Sequence, residues 1–240
     1  MKIQHIAIGL SLIWSQAQVC AESKPSMRQV FQATEQAAEL GYVTEQINLG
    51  DMYYYGKGVQ QNYTHAVNWY RKAAEQGDPV AQYNLGFMYR NGKGVPKSNK
   101  YAVIWYRRAA EQGVADAQYN LGFMYRNGLG VPQDDKQAVD WYRKAAEQGD
   151  TVAQLNLGLM YYYGKGVPQD YKEAYAWACV ATEKKDPLNA PLRNEVAKLL
   201  SPSALSEAQA LASANSTSKC NSRLKIRLLS EVRQKPPVAV

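Results

Sequence analysis

Trp69, Trp105, Trp141 and Trp177 recur at a fixed interval, and so does the pair Leu-Gly, at Leu49-Gly50, Leu85-Gly86, Leu121-Gly122 and Leu157-Gly158. Every step is 36 residues. A strict period of this length specifies a repeat array, in which a unit buries its apolar surface only against its neighbours and stability accumulates interface by interface. Four units run from Thr44 to Pro187, at 44–79, 80–115, 116–151 and 152–187. They are built on Leu-Gly-x-Met-Tyr, a Gly-x-Gly-Val loop and a segment around Trp-Tyr-Arg-Lys-Ala-Ala-Glu-Gln-Gly.

Within the second unit Ala81, Leu85, Met88 and Tyr89 form one stripe at helical spacing, which predicts an amphipathic helix up to Arg90. Asp78-Pro79 supplies its N-cap and first-turn proline, and Asn91-Gly92 with Gly94 stops it. A second helix follows Val95-Pro96, turns Ala102, Trp105, Tyr106, Ala109 and Ala110 inward, and ends at Gly113. The expected fold is therefore all-α, a solenoid of four helix-loop-helix units. Residues 22–43 read as a capping half-unit, since Ala37-Ala38-Glu39-x-Gly41 lies 36 residues before Ala73-Ala74-Glu75-x-Gly77. Residues 188–212 read as two closing helices, Pro191–Leu200 and Pro202–Ala212.

The motifs resemble those of the Sel-one-like repeat family, relatives of the tetratricopeptide repeats, over Thr44 to Pro187 and the flanking helices. That resemblance implies a right-handed superhelix whose first helices line a concave groove holding a protein partner. It further implies an adaptor or scaffold. Exported bacterial members of the family include host-interaction factors, assembly factors of secretion or the envelope, and immunity proteins that neutralise toxins.

Rotating 100° per residue from Leu85 puts three positions of each first helix on the side away from the core. They are Ile47, Asp51 and Tyr54; Tyr83, Phe87 and Arg90; Tyr119, Phe123 and Arg126; then Leu155, Leu159 and Tyr162. An idle surface would carry Lys and Glu. Tyr, Phe and Arg are the types that dominate protein interfaces, so these twelve are the candidate partner-binding residues, unless curvature packs them against the second helices. The tryptophans read as core, and the Gly-x-Gly loops as turns, because no Gly-Lys-Ser/Thr follows them and no strand precedes them.

The remaining chemistry is sparse. The net charge of +7 concentrates in residues 213–240, where Lys219, Arg223, Lys225, Arg227, Arg233 and Lys235 oppose only Glu231, leaving a nearly neutral body unsuited to nucleic acid. Within that tail Arg223 to Val232 interleaves apolar and basic residues, as a membrane-surface segment does or as a plain solubilising tail allows. Lys2 and the apolar run Ile6–Trp14 read as a signal peptide over residues 1–21, cleaved after Ala21, so the expected location is periplasmic or secreted. His65 is then the single histidine and reads as exposed; neither a metal site nor a cofactor is expected. Cys179 and Cys220 allow a disulfide in an oxidising compartment or two thiols. Ser216-x-x-Lys219 and Ser222-x-x-Lys225 match a fragment of the penicillin-binding and β-lactam-hydrolysing signature, without a following Lys-Thr-Gly. The sequence favours a monomeric, non-enzymatic binding scaffold, with an envelope assembly factor and a β-lactam-hydrolysing enzyme as alternatives.

Overall fold

The computed structural model describes residues 25–183 and 190–216. The segment through Ala21, Cys220, the Arg223–Val232 stretch and both lysines of the Ser-x-x-Lys fragments lie outside these residues. Among the described residues there are eleven helices and no strand: α1 Met27–Glu39, α2 Val43–Tyr55, α3 Tyr63–Glu75, α4 Pro79–Asn91, α5 Asn99–Glu111, α6 Ala115–Asn127, α7 Asp135–Glu147, α8 Thr151–Tyr163, α9 Tyr171–Glu183, α10 Ala190–Leu199 and α11 Pro202–Asn215. Helices α2 to α9 form four hairpins stacked side by side into an all-α solenoid. Helix α1 packs on α2 at one end, while α10 and α11 pack on α9 at the other.

Local chemistry fixes where each helix starts and stops. Asp78 accepts the Ala81 N–H at 2.9 Å with Pro79 in the first turn, and Gly92 closes α4 in the left-handed region at φ 68°. Asn62, Ser98 and Asp134 cap the second helices in the same way, each bonding the N–H three residues on. Val114 heads α6 without a side-chain cap, and Asp116 in the first turn partly replaces it through the helix dipole.

Two glycine positions set how closely the elements approach. The first is the Leu-Gly pair inside each first helix. A Cβ on Gly50, Gly86 or Gly122 would fall 2.6–2.8 Å from the ring of Tyr70, Tyr106 or Tyr142, so these second-helix tyrosines lie flat on the bare helix backbone. Glycine costs about 1 kcal/mol there relative to alanine, and the buried aromatic contact offsets it. The second is the last glycine of each Gly-x-Gly loop. Gly58, Gly94, Gly130 and Gly166 sit against the first residue of the preceding second helix, at Met27, Tyr63, Asn99 and Asp135. The loops are thus turns and also inter-unit joints.

Trp105, Trp141 and Trp177 likewise belong to the joint. Trp141 is buried with Ala102 and Tyr106 of the preceding unit and Leu121 of its own, and Trp177 with Ala138 and Tyr142 of the preceding unit and Leu157 of its own. Trp69 and Trp105 are only half-buried, and a cation one turn on lies over the ring, Lys72 at 3.7 Å and Arg108 at 4.6 Å. They are less enclosed than a core assignment implies.

A buried glutamine ladder ties units together. Gln46, Gln82, Gln118 and Gln154 each donate to an alanine carbonyl of the preceding helix, at Ala38, Ala74, Ala110 and Ala146 (3.0–3.3 Å). Gln76, Gln112 and Gln148 then donate to the first three of these amides at 2.7–2.8 Å. The ladder ends at Gln154, whose Oε1 is buried without a partner. Replacing Gln118 by Met leaves the Gln148 amide without its acceptor and removes one bond from the Ala110 carbonyl, which keeps the Gln112 and Gly113 N–H groups, and is expected to cost about 2 kcal/mol. Gln154→Met, which removes one bond and one orphan acceptor together, should cost clearly less. Urea midpoints of the two variants check this, and equal losses would count against the ladder.

Candidate partner-binding face

The twelve candidate residues occupy three rows along the first helices, and all twelve are half-buried. They are thus packed in part against the second helices, the alternative that the rotation from Leu85 leaves open. In the first three units the glycine gap contributes: Tyr70, Tyr106 and Tyr142 cross the first helices there and emerge among the candidates, giving them something to pack on. The Tyr83 ring lies 5.8 Å from Tyr106, and Tyr119 lies 5.9 Å from Tyr142. Phe87 packs against the clusters on both sides of it.

Polar contacts run along the same face from unit to unit. Arg90 donates to Asn120 Oδ1 and stacks 4.7 Å over the Phe123 ring. One unit on, Arg126 donates to Asn156 Oδ1 at 2.8 Å. Each asparagine is aimed by its own amide N–H₂, which bonds the backbone carbonyl four residues earlier, Asp116 at 2.7 Å and Val152 at 2.8 Å. A parallel set, Arg71 to Tyr89, Arg107 to Tyr125 and Arg143 to Tyr161, stitches second helices to the next first helix. Guanidinium groups held in this way are already ordered before any partner arrives, which lowers the entropic cost of using them.

Two tyrosine hydroxyls on this face are buried without a hydrogen bond, those of Tyr106 and Tyr142. Burial pushes the Tyr142 phenol up to about 12, tempered by the Arg126 guanidinium close by, and burial raises Tyr106 further still. Burial also raises Tyr83 and Tyr119. All four therefore stay neutral, as donors, throughout the physiological range. Tyr70 differs because position 51 is Asp where later units carry Phe87, Phe123 and Leu159: its hydroxyl donates to Asp51 Oδ1 at 2.5 Å.

Between α2 and α4 the face opens into a pocket of about 180 Å³ lined by Asp51, Tyr54, Tyr55, Tyr70, Tyr83, Asn84, Phe87 and Met88. A larger hollow of about 700 Å³ lies beside α1, where Ala33 and Thr34 stand in the places of Trp69 and Tyr70. Leu155, Leu159 and Tyr162 extend the face to the last unit, with Tyr162 against Tyr171 at 5.7 Å.

Tyr70, Tyr106 and Tyr142, and Asn84, Asn120 and Asn156, belong to this face and escape a reading that assigns each helix one inward stripe. The signal for the tyrosines was present: a glycine recurring inside a helix asks what lies on top of it. Elsewhere, His65 is exposed and stacks on Tyr53 at 4.9 Å. Cys179 is half-buried on α9, and Ser216 caps α11. No group of three or more His, Cys, Asp or Glu able to hold a metal occurs among the described residues.

Comparison with known proteins places this architecture. The Sel1 repeat profile matches residues 46–78, 79–114, 115–150 and 151–186. A Sel1 repeat protein from Oxalobacter formigenes is 36% identical and superposes with a TM-score of 0.66, over 73% of this chain and 51% of that one. The protein c5321, a protective antigen present in uropathogenic Escherichia coli strains displaying an SLR fold, is 30% identical with a TM-score of 0.50, over 90% of this chain and 61% of that one. The chain thus spans between half and about three-fifths of the length of these two relatives. No curated protein gives a significant match. Four adjoining profile matches covering more than half of the residues, on a stack of helix hairpins with the same period, make this chain a member of the Sel1 repeat family of helical scaffolds.

Proposed function

We propose that this chain is an exported, non-enzymatic scaffold that holds a protein partner on the face formed by its first helices, in a toxin-neutralising or host-interaction setting. The observation that carries this reading is the row of half-buried aromatic side chains running over all four units, with pre-ordered arginines, Arg90 and Arg126, in the middle two. Hot spots of protein interfaces are of this composition, and partial burial keeps their rotamers fixed while one side stays open to contact. The apolar N-terminal run and its small-residue cleavage point support export.

The test is capture of a partner by the chain beginning at Glu22. A variant with Phe87, Arg90, Phe123 and Arg126 changed to Ala is expected to bind about a hundredfold more weakly, two hot spots of at least 2 kcal/mol each being more than sufficient. Arg71→Ala, which breaks an inter-unit bond away from this face, serves as the stability control and should bind normally. Undiminished capture by the fourfold variant would refute the assignment of the face.

A further inference from the structure

Asp51 breaks the pattern of the array. It is the one acidic side chain among the twelve face positions, set where the next two units carry phenylalanine. Its carboxylate accepts the Tyr70 hydroxyl at 2.5 Å, and among the described residues no lysine, arginine or histidine nitrogen lies within 4 Å of it. Tyr54, Tyr55, Tyr83 and Phe87 wall the 180 Å³ pocket around it. At Asn84 the arginine that reaches Asn120 and Asn156 from the preceding unit is replaced by Tyr54, so no guanidinium from that position covers this amide as it does theirs. A half-buried carboxylate with aromatic walls and no cation of its own is electrostatically incomplete.

We propose that the pocket between α2 and α4 receives a cationic side chain, arginine or lysine, presented by the protein partner. This deepens the reading of the face as a partner-binding surface and rests on it. The charged head pairs with the Asp51 carboxylate, whose other hydrogen bond, from Tyr70, fixes its orientation. The aliphatic stem and the face of the head lie against the rings. The protein already shows that its aromatic side chains accept an ammonium group nearby. Lys93 Nζ lies 4.7 Å from the Tyr54 ring, 5.0 Å from Tyr63 and 5.7 Å from Phe87, and donates to the Tyr54 hydroxyl at 2.6 Å. Lys93 reaches these rings from the Gly92–Gly94 loop and is not among the residues lining the pocket, so the Asp51 side stays open to a second cation. The order of charges along the face, one carboxylate in the first unit and then Arg90 and Arg126, also fixes the direction in which a charged partner segment lies: its basic residue toward α2, its acidic residues toward α4 and α6.

The experiment needs no partner. Full-length protein is titrated with N-acetylarginine amide, N-acetyllysine amide and neutral N-acetylnorleucine amide, following tyrosine fluorescence and NMR shifts of Asn84. The expected result is saturable binding of the two cationic amides and not of norleucine amide, with a loss of at least tenfold in Asp51→Asn, which keeps an acceptor for Tyr70. Asp51→Phe, a residue the next two units already accommodate at this position, should abolish binding in a folded protein. Equal binding of norleucine amide, no binding of any amide, or an unchanged affinity in Asp51→Asn overturns the pocket's assignment. None of these results touches the wider face, which stands or falls on the Phe87, Arg90, Phe123 and Arg126 variant with a whole partner.

Discussion

Changing Gly130 to alanine is expected to lower the stability of the array by about 4 kcal/mol, while the same change two residues earlier, at Gly128, costs only about 1–2 kcal/mol. Both glycines are left-handed, at φ 75° and 63°, so both variants carry the strain of a Cβ in that region. They differ in what the methyl group meets. At Gly128 nothing comes closer than 3.5 Å, an ordinary contact. At Gly130 the added carbon would lie 2.5 Å from the Asn99 carbonyl oxygen and 2.7 Å from the Lys100 nitrogen, backbone atoms at the start of α5 that have nowhere to go. The loop must lift off the preceding unit, and in a linear stack that weakens the interface the two units share. Thermal melts should show Gly130→Ala losing about 10 °C, given roughly 2–4 °C per kcal/mol for a chain of this size. Indistinguishable melts for the two variants would mean that the loop is a turn and nothing more.

A second contrast lies inside the first helices. Gly122→Ala gains about 1 kcal/mol of helix propensity but drives a methyl to 2.8 Å from Tyr142 Cδ1, on a ring that is fully buried. Overpacking of this kind outweighs the gain, and a net loss of about 3 kcal/mol is expected. Gly158→Ala should be near neutral or stabilising. The residue that would lie over it, counting 36 from Tyr142, is Ala178, and the closest atoms are the Ala174 carbonyl oxygen at 3.2 Å and Leu192 Cδ2 at 3.4 Å. The double variant Gly122→Ala/Tyr142→Ala, which copies the fourth unit's pairing into the third, should lose less than the sum of its parts by about 2 kcal/mol. Additive losses in urea denaturation would show that ring and glycine do not act as a pair.

Much of this fold is legible in the sequence because the period is strict. Once Leu-Gly and Trp repeat at 36, the helix boundaries follow from Asp78-Pro79, Asn91-Gly92 and Gly113 by local chemistry alone. What periodicity conceals is the third dimension of each position. Gln82 and Gln118 look like surface residues, because amphipathic patterning sorts by polarity and has no place for a polar group that is buried and satisfied. Tyr106 was readable as inward-facing, yet its hydroxyl passes through the first helix layer and out toward Arg90, which a one-face view of a helix does not anticipate. Rotation from Leu85 places the candidate face, but leaves open how far it is buried, since that depends on a side chain from the other helix.

The seat of each Gly-x-Gly loop has a direction. Gly58 rests on the start of α1, Gly94 on α3, Gly130 on α5 and Gly166 on α7, so each unit docks onto one made earlier in the chain. On a ribosome adding about 5–20 residues per second, each new hairpin emerges to find its mooring already built. Construction can then proceed from the front, with no hairpin waiting for a partner still to be synthesised, and α1 is the keel on which that sequence of additions is laid.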